Sequence, residues 1–127
     1  MKWHAMPCTK YNEHREQWAS LNKDTMNLAF FEPEFVEPLI EDFLDGDELL
    51  VLAFEGELLQ VAGIFKNHGK GRWATAMPSQ CPLGLFLHRE PMVDEQLLKQ
   101  LSAKLPGKVA MLDLLQTDTK FTQFSKS

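Results

Sequence analysis

One cysteine lies in a short segment that could support nucleophilic chemistry. Ser79, Gln80 and Cys81 stand between two prolines, neither of which can donate a hydrogen bond to a strand, so we predict an irregular segment there. A cysteine reacts as a thiolate, which requires a nearby base or a helix N-terminus. No histidine is close in sequence, and His68 or His88 would have to approach through the fold. The favoured interpretation of Cys81 is therefore a structural or incidental role.

A glycine-containing stretch next to a tryptophan is the second place where a ligand could bind. The pattern Lys66-x-x-Gly69-x-Gly71 imitates a diphosphate-binding loop, but such a loop must be followed by a helix. Residues 72–77 alternate as in a strand instead, so the pattern predicts a hairpin loop. An exposed Trp73 beside this basic loop could stack on a ring of a ligand. The alternative, which we favour, is that Trp73 packs in the core.

The other residues that could do chemistry predict no catalytic group and no metal site. Asp113 interrupts an apolar run, where it is either a satisfied buried carboxylate or a strand-end residue facing solvent. A catalytic Asp113 is the least favoured interpretation. Cys8 and Cys81 are the only two cysteines and are far apart, so we expect free thiols rather than a disulfide or a zinc site.

The charge of the chain argues against one class of partner. The formal net charge is −5 over 127 residues, so the field around the protein would repel a phosphate backbone, and we expect no nucleic-acid binding. Acidic residues concentrate between Glu32 and Glu48. A solvated helix face is the favoured interpretation of this run, and docking of a basic partner is the alternative.

The distribution of apolar residues predicts a cytoplasmic protein with no membrane partner. No stretch approaches the roughly 20 apolar residues that a spanning helix needs, and residues 1–4 lack the apolar core of a signal peptide. The hydrophobic content of 44% is enough to fill one core. We therefore expect one domain over residues 1–116, followed by a polar tail over residues 117–127.

The sequence pattern of the first half of the chain predicts a strand and two helices. Residues 3–6 predict a short strand, and apolar residues at helical spacing over 11–21 predict a helix of about three turns. Pro33 suits the first turn of a second helix, and Gly46 suits its end. Pro38 lies inside that helix and should kink it or move its start.

The sequence pattern of the second half predicts an antiparallel meander, a helix and a last strand. Two apolar runs, 49–54 and 58–65, flank a Glu-Gly turn and predict a hairpin buried on both faces. Residues 72–77 predict a third strand, which resumes over 83–87 after the proline-bracketed segment. Asp94 can cap a third helix with an apolar stripe of leucines. The apolar run 109–115 then predicts a buried strand parallel to the one before the helix.

This order of elements resembles the first two-thirds of the GNAT acyltransferase fold, an α/β fold with a mixed sheet. The stretches 31–39, 47–49 and 112–116 are similar to the N-terminal half of the CelD-like acetyltransferases, which are associated with bacterial cellulose and exopolysaccharide synthesis. The likeness covers about residues 10 to 120. It implies an acetyltransferase-related domain, incomplete at its C-terminus, with a link to polysaccharide biosynthesis.

The sequence departs from the GNAT pattern where coenzyme A should bind. An acetyl-CoA-binding domain carries a glycine-rich loop after its fourth strand, because glycines let backbone N–H groups approach the diphosphate. Residues 88–94 contain no glycine, Pro91 lacks a donor, and Glu90 and Asp94 are negative. One such charge about 4 Å from a phosphate costs on the order of 4 kcal/mol, more than Arg89 would comfortably offset. We expect no cofactor on this chain, and acetyl-CoA only in a complete enzyme.

The resemblance leads to three hypotheses about function. The first is an N-terminal, non-catalytic part of an acyltransferase that shapes the acceptor site, with a C-terminal GNAT half as partner. The second is a degenerate GNAT-like interaction module, dimeric through its open sheet edge. The third, an intact small acyltransferase, would need a mode of cofactor binding that the sequence lacks. In the GNAT family the segment corresponding to Ser79, Gln80 and Cys81 faces the substrate groove, so these residues and Trp73 are the substrate-facing candidates, and no residue is assigned a catalytic role.

Overall fold

The computed structural model describes residues 1–42, 47–69, 72–76, 85–89, 95–106 and 111–113. Within these ranges the chain has a mixed α/β architecture. The strands are β1 (Lys2–Pro7), β2 (Leu49–Glu55), β3 (Leu58–Asn67), β4 (Arg72–Thr75), β5 (Phe86–His88) and β6 (Met111–Asp113); the α-helices are α1 (Arg15–Asp24), α2 (Pro33–Asp42) and α3 (Glu95–Lys104). The predicted domain limit at residue 116 and the polar tail lie outside these ranges.

The six strands found in these ranges form one sheet in the order β1-β2-β3-β4-β6. β1, β2, β3 and β4 are antiparallel neighbours, whereas β4 and β6 pair in parallel, with Trp73 opposite Leu112. β5 also pairs with β3, with Val61 opposite His88. β4 and β5 therefore lie one after the other along the same edge of β3. A last strand parallel to an earlier one is therefore confirmed over Met111–Asp113, but its partner is β4 and not β5, the strand directly before α3.

The core has two layers because side chains alternate across the strands. The layer on the side of α1 and α2 contains Trp18, Leu21, Leu50 and Ile64 among its buried members. The layer on the side of α3 contains Trp3, Phe65, Trp73, Phe86 and Leu101. The central strands β2 and β3 are buried on both faces, as predicted for the two apolar runs.

The N-terminal helical region differs in detail from the prediction. The single helix expected over 11–21 is divided into a 3₁₀ helix, Cys8–His14, and the α-helix α1. A 3₁₀ turn is common at the start of an α-helix, and Tyr11, Trp18 and Leu21 are all buried as their spacing predicted.

The second helix begins at Pro33, as predicted, and a further 3₁₀ turn, Ala29–Phe31, precedes it. Pro38 lies inside the helix, which continues to Asp42, so the proline does not move the start. Gly46, the predicted end, lies outside the described residues, as does Asp94, the predicted cap of α3.

The third helix confirms the leucine stripe. Leu97, Leu101 and Leu105 are buried against the sheet, and Leu98 packs beside them. None of the helices in the described ranges is long and apolar enough to cross a bilayer.

Candidate functional site

Trp73 does not form the exposed stacking surface that the sequence allowed. Its side chain is 3% exposed and lies in the layer beside α3, so this substrate-facing candidate is wrong and the packing alternative holds. The reason is the register of β3 and β4: Trp73 lies opposite Asn67, two residues from Phe65, on the face that α3 covers. Its Nε1 donor has no hydrogen-bond partner in the described part of the chain.

The other three candidates lie on a segment whose two ends meet in the sheet. Ser79, Gln80 and Cys81 are themselves outside the described residues. At the ends of their segment, the Leu85 N–H donates to the Ala76 carbonyl at 2.9 Å, the Ala76 N–H donates to the Ile64 carbonyl at 2.7 Å, and the Ile64 N–H donates to the Leu85 carbonyl at 2.9 Å. Residues 76 and 85 are therefore both bonded to the same position in β3, between β4 and β5.

The loop after β3 is a hairpin connection, as predicted, and not a phosphate cradle. The His68 N–H donates to the Arg72 carbonyl at 2.7 Å, and the Arg72 N–H donates to the Gly69 carbonyl at 3.0 Å. Gly69 has φ +93°, which favours glycine, and its N–H donates to Asn67 Oδ1 at 2.8 Å. Strand β4 follows at once, so no helix N-terminus is available for a diphosphate.

One member of the acidic run is buried, which the sequence did not predict. Glu48 is 1% exposed, and its Oε2 lies 3.5 Å from Nζ of Lys66. The two residues are cross-strand neighbours, since Leu49 lies opposite Phe65. Placing Glu48 on a solvated face was wrong. The available signal was its position directly before an apolar strand.

Cys8 lies beside the buried Glu48 carboxylate. Its backbone N–H donates to the Glu48 carbonyl at 3.0 Å, and the side chain is buried and forms no disulfide. Burial raises the pKa of the Cys8 thiol, and the Glu48 carboxylate raises it further. Cys8 is therefore a free thiol, as predicted, and the raised pKa makes it a poor nucleophile.

Two other acidic residues lie on a solvated helix face, as predicted. Arg15 at the start of α1 reaches across to α2, with Nε 2.6 Å from Glu37 Oε1 and Nη2 3.7 Å from Glu34 Oε1. Glu34 is 77% exposed, so its ion pair with Arg15 lies at the surface. It links α1 to α2 and contributes little to the free energy of unfolding.

Two buried polar atoms close to that pair have no hydrogen-bond partner among the described residues. They are the Tyr11 hydroxyl and Nδ1 of His14, one turn apart in the 3₁₀ helix. Tyr11 packs edge-on against Trp18, with ring centroids 5.2 Å apart. Burial raises the pKa of the Tyr11 hydroxyl well above its usual range, and Glu37 adds to the effect.

Arg89, the one cation near the predicted diphosphate position, is already engaged. Its Nε donates to the Leu59 carbonyl at 2.8 Å, and its Nη1 lies 2.8 Å from Asp24 Oδ2. The guanidinium thus ties the end of α1 to β3, and a diphosphate would have to compete with Asp24 for it. Residues 90–94, which carry the acidic and glycine-free part of the predicted loop, lie outside the described ranges.

The remaining candidates do not assemble into a site in the described structure. His88 is 2% exposed and its ring lies 5.4 Å from that of Phe86, whereas His68 is exposed in the hairpin loop. Asp113 is the last residue of β6. Among the described residues no group of three or more His, Cys, Asp or Glu side chains could hold a metal ion.

Comparison with protein-family models, with curated proteins and with solved structures gave no match.

Proposed function

We propose that this chain is a GNAT-like domain without a coenzyme A site of its own, which shapes the acceptor side of an acyltransferase. The observation that carries the proposal is the parallel pairing of β4 with β6 across α3 in a sheet whose other pairs are antiparallel. An antiparallel meander followed by one crossover to a parallel neighbour is the order of the first two-thirds of the GNAT fold.

The distribution of the helices supports the same proposal. α1 packs on one face of the sheet, with Trp18 and Leu21 in its layer, and α3 packs on the other face through Leu97 and Leu101. A helix between two parallel strands of one sheet is the usual form of such a crossover. The likeness is one of architecture alone, and the chemistry must be argued from side chains.

The position of the proline-bracketed segment supports a role on the acceptor side. The segment that contains Ser79, Gln80 and Cys81 in the sequence lies between Ala76 and Leu85, and these two residues meet at one point of the sheet, bonded to each other and to Ile64 in β3. This point lies beside the strand that runs parallel to β6. A segment anchored there can contact an acyl acceptor without supplying a nucleophile, which is the role we assign to it.

The hydrogen bonds that Arg89 already makes support the absence of a coenzyme A site. In GNAT enzymes the diphosphate lies after the fourth strand, and here the first residue after β5 is Arg89, which is bonded to Asp24 and to the Leu59 carbonyl. The following residues supply Glu90, Pro91 and Asp94 in place of glycines.

Calorimetric titration with acetyl-CoA tests the proposal. We expect no saturable heat up to about 1 mM ligand, an affinity weaker than about −4 kcal/mol of binding free energy. An acyltransferase that binds coenzyme A, titrated in parallel, shows that the measurement can detect binding. Micromolar binding to the chain would contradict the proposal and favour an intact small acyltransferase.

A second candidate function is self-association through the sheet edge. β6 is the last strand in the order and pairs only with β4 within the described ranges, and an open edge is a template for strand pairing. Light scattering at several concentrations separates the two functions. A concentration-dependent dimer supports the interaction module, and a monomer at all concentrations contradicts it. A reading frame that continues beyond Ser127 into a glycine-rich loop supports the acyltransferase part.

A further inference from the structure

The 3₁₀ helix Cys8–His14 is long for its type. It has seven residues, whereas 3₁₀ runs of more than three or four are uncommon because their hydrogen bonds have poorer geometry and their side chains eclipse. Pro7, which precedes it, makes no side-chain capping bond. The ion pair between Lys10 and Glu13 lies within the helix, and both side chains are more than half exposed. The helix is therefore weak by itself, and its packing against the rest of the chain must hold it.

The packed side of this helix carries two buried polar atoms without a hydrogen-bond partner in the described part of the chain. They are the Tyr11 hydroxyl and Nδ1 of His14. Tyr11 is 2% exposed, so its hydroxyl is shielded from bulk water. Side chains three residues apart eclipse in a 3₁₀ helix, so these two lie on the same side of it. Both atoms gain hydrogen bonds to water when the helix leaves its place, which lowers the free energy of opening.

The neighbouring elements hold together without this helix. In α1, Nε1 of Trp18 donates a buried hydrogen bond of 2.7 Å to the Phe31 carbonyl, which lies just before α2. Arg15, the first residue of α1, pairs with Glu37 of α2 at 2.6 Å. On the other side, β1 pairs with β2 along its whole length. The residues before and after the 3₁₀ helix are therefore anchored independently of it.

The helix also contains enough chain to move outward between these two anchors. Its seven residues span about 14 Å as a 3₁₀ helix and up to about 23 Å when extended. Opening must break the 3.0 Å hydrogen bond from the Cys8 N–H to the Glu48 carbonyl. It must also separate Tyr11 from the edge-on contact with Trp18. These contacts involve few residues, so the opening can occur without unfolding of the sheet.

We propose that residues Cys8–His14 form a strap that opens locally while the sheet, α1 and α2 stay folded, and that this opening makes the Cys8 thiol accessible. In the closed strap the Cys8 side chain is 0% exposed. Local opening at a cost below that of global unfolding is a general property of weakly held elements. The inference rests on this segment alone and would hold for a chain unrelated to acyltransferases.

Alkylation by iodoacetamide measures the opening, because a buried thiol reacts only when the chain around it opens. Trypsin places Cys8 in peptide 3–10 and Cys81 in peptide 73–89, so mass spectrometry follows Cys8 separately. The alkylation rate in the native chain, divided by the rate in the unfolded chain, gives the fraction of open molecules. We expect this fraction to be about a hundredfold larger than the globally unfolded fraction obtained from urea denaturation.

The urea dependence of the same rate shows how much surface the opening exposes. A local opening exposes little surface, so the Cys8 rate should rise less than about twofold between 0 and about 1 M urea. Global unfolding of a small domain would raise the rate at least about fivefold over that interval. This measurement uses the unchanged chain and does not depend on the folding of any variant.

Two variants that each remove one buried polar atom show whether the strap is the moving part. Tyr11→Phe should slow the alkylation of Cys8 about fivefold, because the closed strap then holds one polar atom fewer without a partner. Trp73→Phe is the matched control, since it removes another such atom, Nε1 of Trp73, from the layer beside α3. The control should leave the Cys8 rate within about twofold of the unchanged chain, because it does not alter the strap.

Four results would overturn the proposal. They are an open fraction equal to the globally unfolded fraction, a urea dependence equal to that of global unfolding, an unchanged Cys8 rate in Tyr11→Phe, and a Cys8 rate in Trp73→Phe that changes in step with its global stability. Failure of the proposed function is observed separately, because it appears as coenzyme A binding and does not involve Cys8.

Discussion

The two faces of the sheet differ in the charged side chains that they carry. The face beside α1 and α2 carries the buried or half-buried ions Glu48, Lys66 and Arg89. The face beside α3 carries aromatic rings, with Phe65 and Phe86 edge to face at 6.1 Å. Both faces contain a full apolar layer, so the difference lies in what surrounds that layer.

The position of the ions explains the difference. Glu48 precedes β2, Lys66 lies near the end of β3, and Arg89 follows β5, so each ion occupies a strand end where its charge can find a partner or reach water. The α1 and α2 face therefore combines packing with polar contacts at its margins. The α3 face contributes stability by packing.

A glycine shows how tightly the α3 face is packed. A Cβ on Gly63 would lie 2.7 Å from Cε2 of Phe65 and 3.0 Å from Cδ1 of Phe86. These distances are shorter than carbon atoms tolerate, so the rings occupy the space that a side chain at this position would need. Glycine in the middle of a strand is explained by this close approach.

The largest effect should come from removing a ring from the α3 face. Phe65→Ala should lower the free energy of unfolding by about 3–5 kcal/mol, because it leaves a cavity among rings that cannot collapse. Urea denaturation measures the change. Phe35→Ala on α2 is the control, since Phe35 is 39% exposed and should cost less than about 1 kcal/mol. Equal losses would show that the α3 face is not the better packed region.

An intermediate effect should come from breaking the ion pair between Lys66 and the buried Glu48 on the other face. Lys66→Met should cost about 1–3 kcal/mol, because the Glu48 carboxylate stays buried with one of its charge partners removed. The Lys66 side chain is 31% exposed, which limits the loss.

A double-mutant cycle with Glu48→Gln isolates the coupling between the two charges. Lys10→Met removes a lysine from an exposed pair with Glu13 and serves as the control. A coupling energy no larger than that of the exposed pair would contradict the distinction drawn between the strand ends and the surface.

The smallest effect concerns a buried hydroxyl on the α1 and α2 face. Tyr11→Phe should stabilise the chain at neutral pH by about 1 kcal/mol, because it removes a buried polar group that has no hydrogen-bond partner among the described residues. The pKa of Tyr11 is raised in the folded state, so the unfolded chain loses this proton first and stability should fall as the pH rises above about 10. The variant should lack that part of the decrease.

The pH dependence can be followed on this residue alone. Tyr11 is the single tyrosine of the chain, so tyrosinate absorbance reports its ionisation without interference. We expect that absorbance to rise together with unfolding. Titration of Tyr11 near pH 10 in the folded chain would contradict the buried hydroxyl. Cys8 also has a raised pKa, and its part of the alkaline decrease, which begins above about pH 8.5, should remain in the variant.

Local patterns predicted most of the elements. Alternating and continuous apolar runs with a Glu-Gly turn between them predicted the hairpin of β2 and β3, and Gly56 has the positive φ that such a turn uses. The leucine spacing predicted α3, and the loop at Gly69 was correctly interpreted as a hairpin because a strand pattern follows it. These signals lie within a few residues of each other, so a single sequence contains them.

The surroundings of the polar and aromatic residues were decided by the tertiary structure. Glu48 is buried because β2 and β3 pair in the register that sets it beside Lys66, and Trp73 is buried because the register of β4 turns it towards α3. Periodicity shows which residues share a face of one element. Which face meets which partner depends on strand register and helix packing, which arise only when distant segments come together.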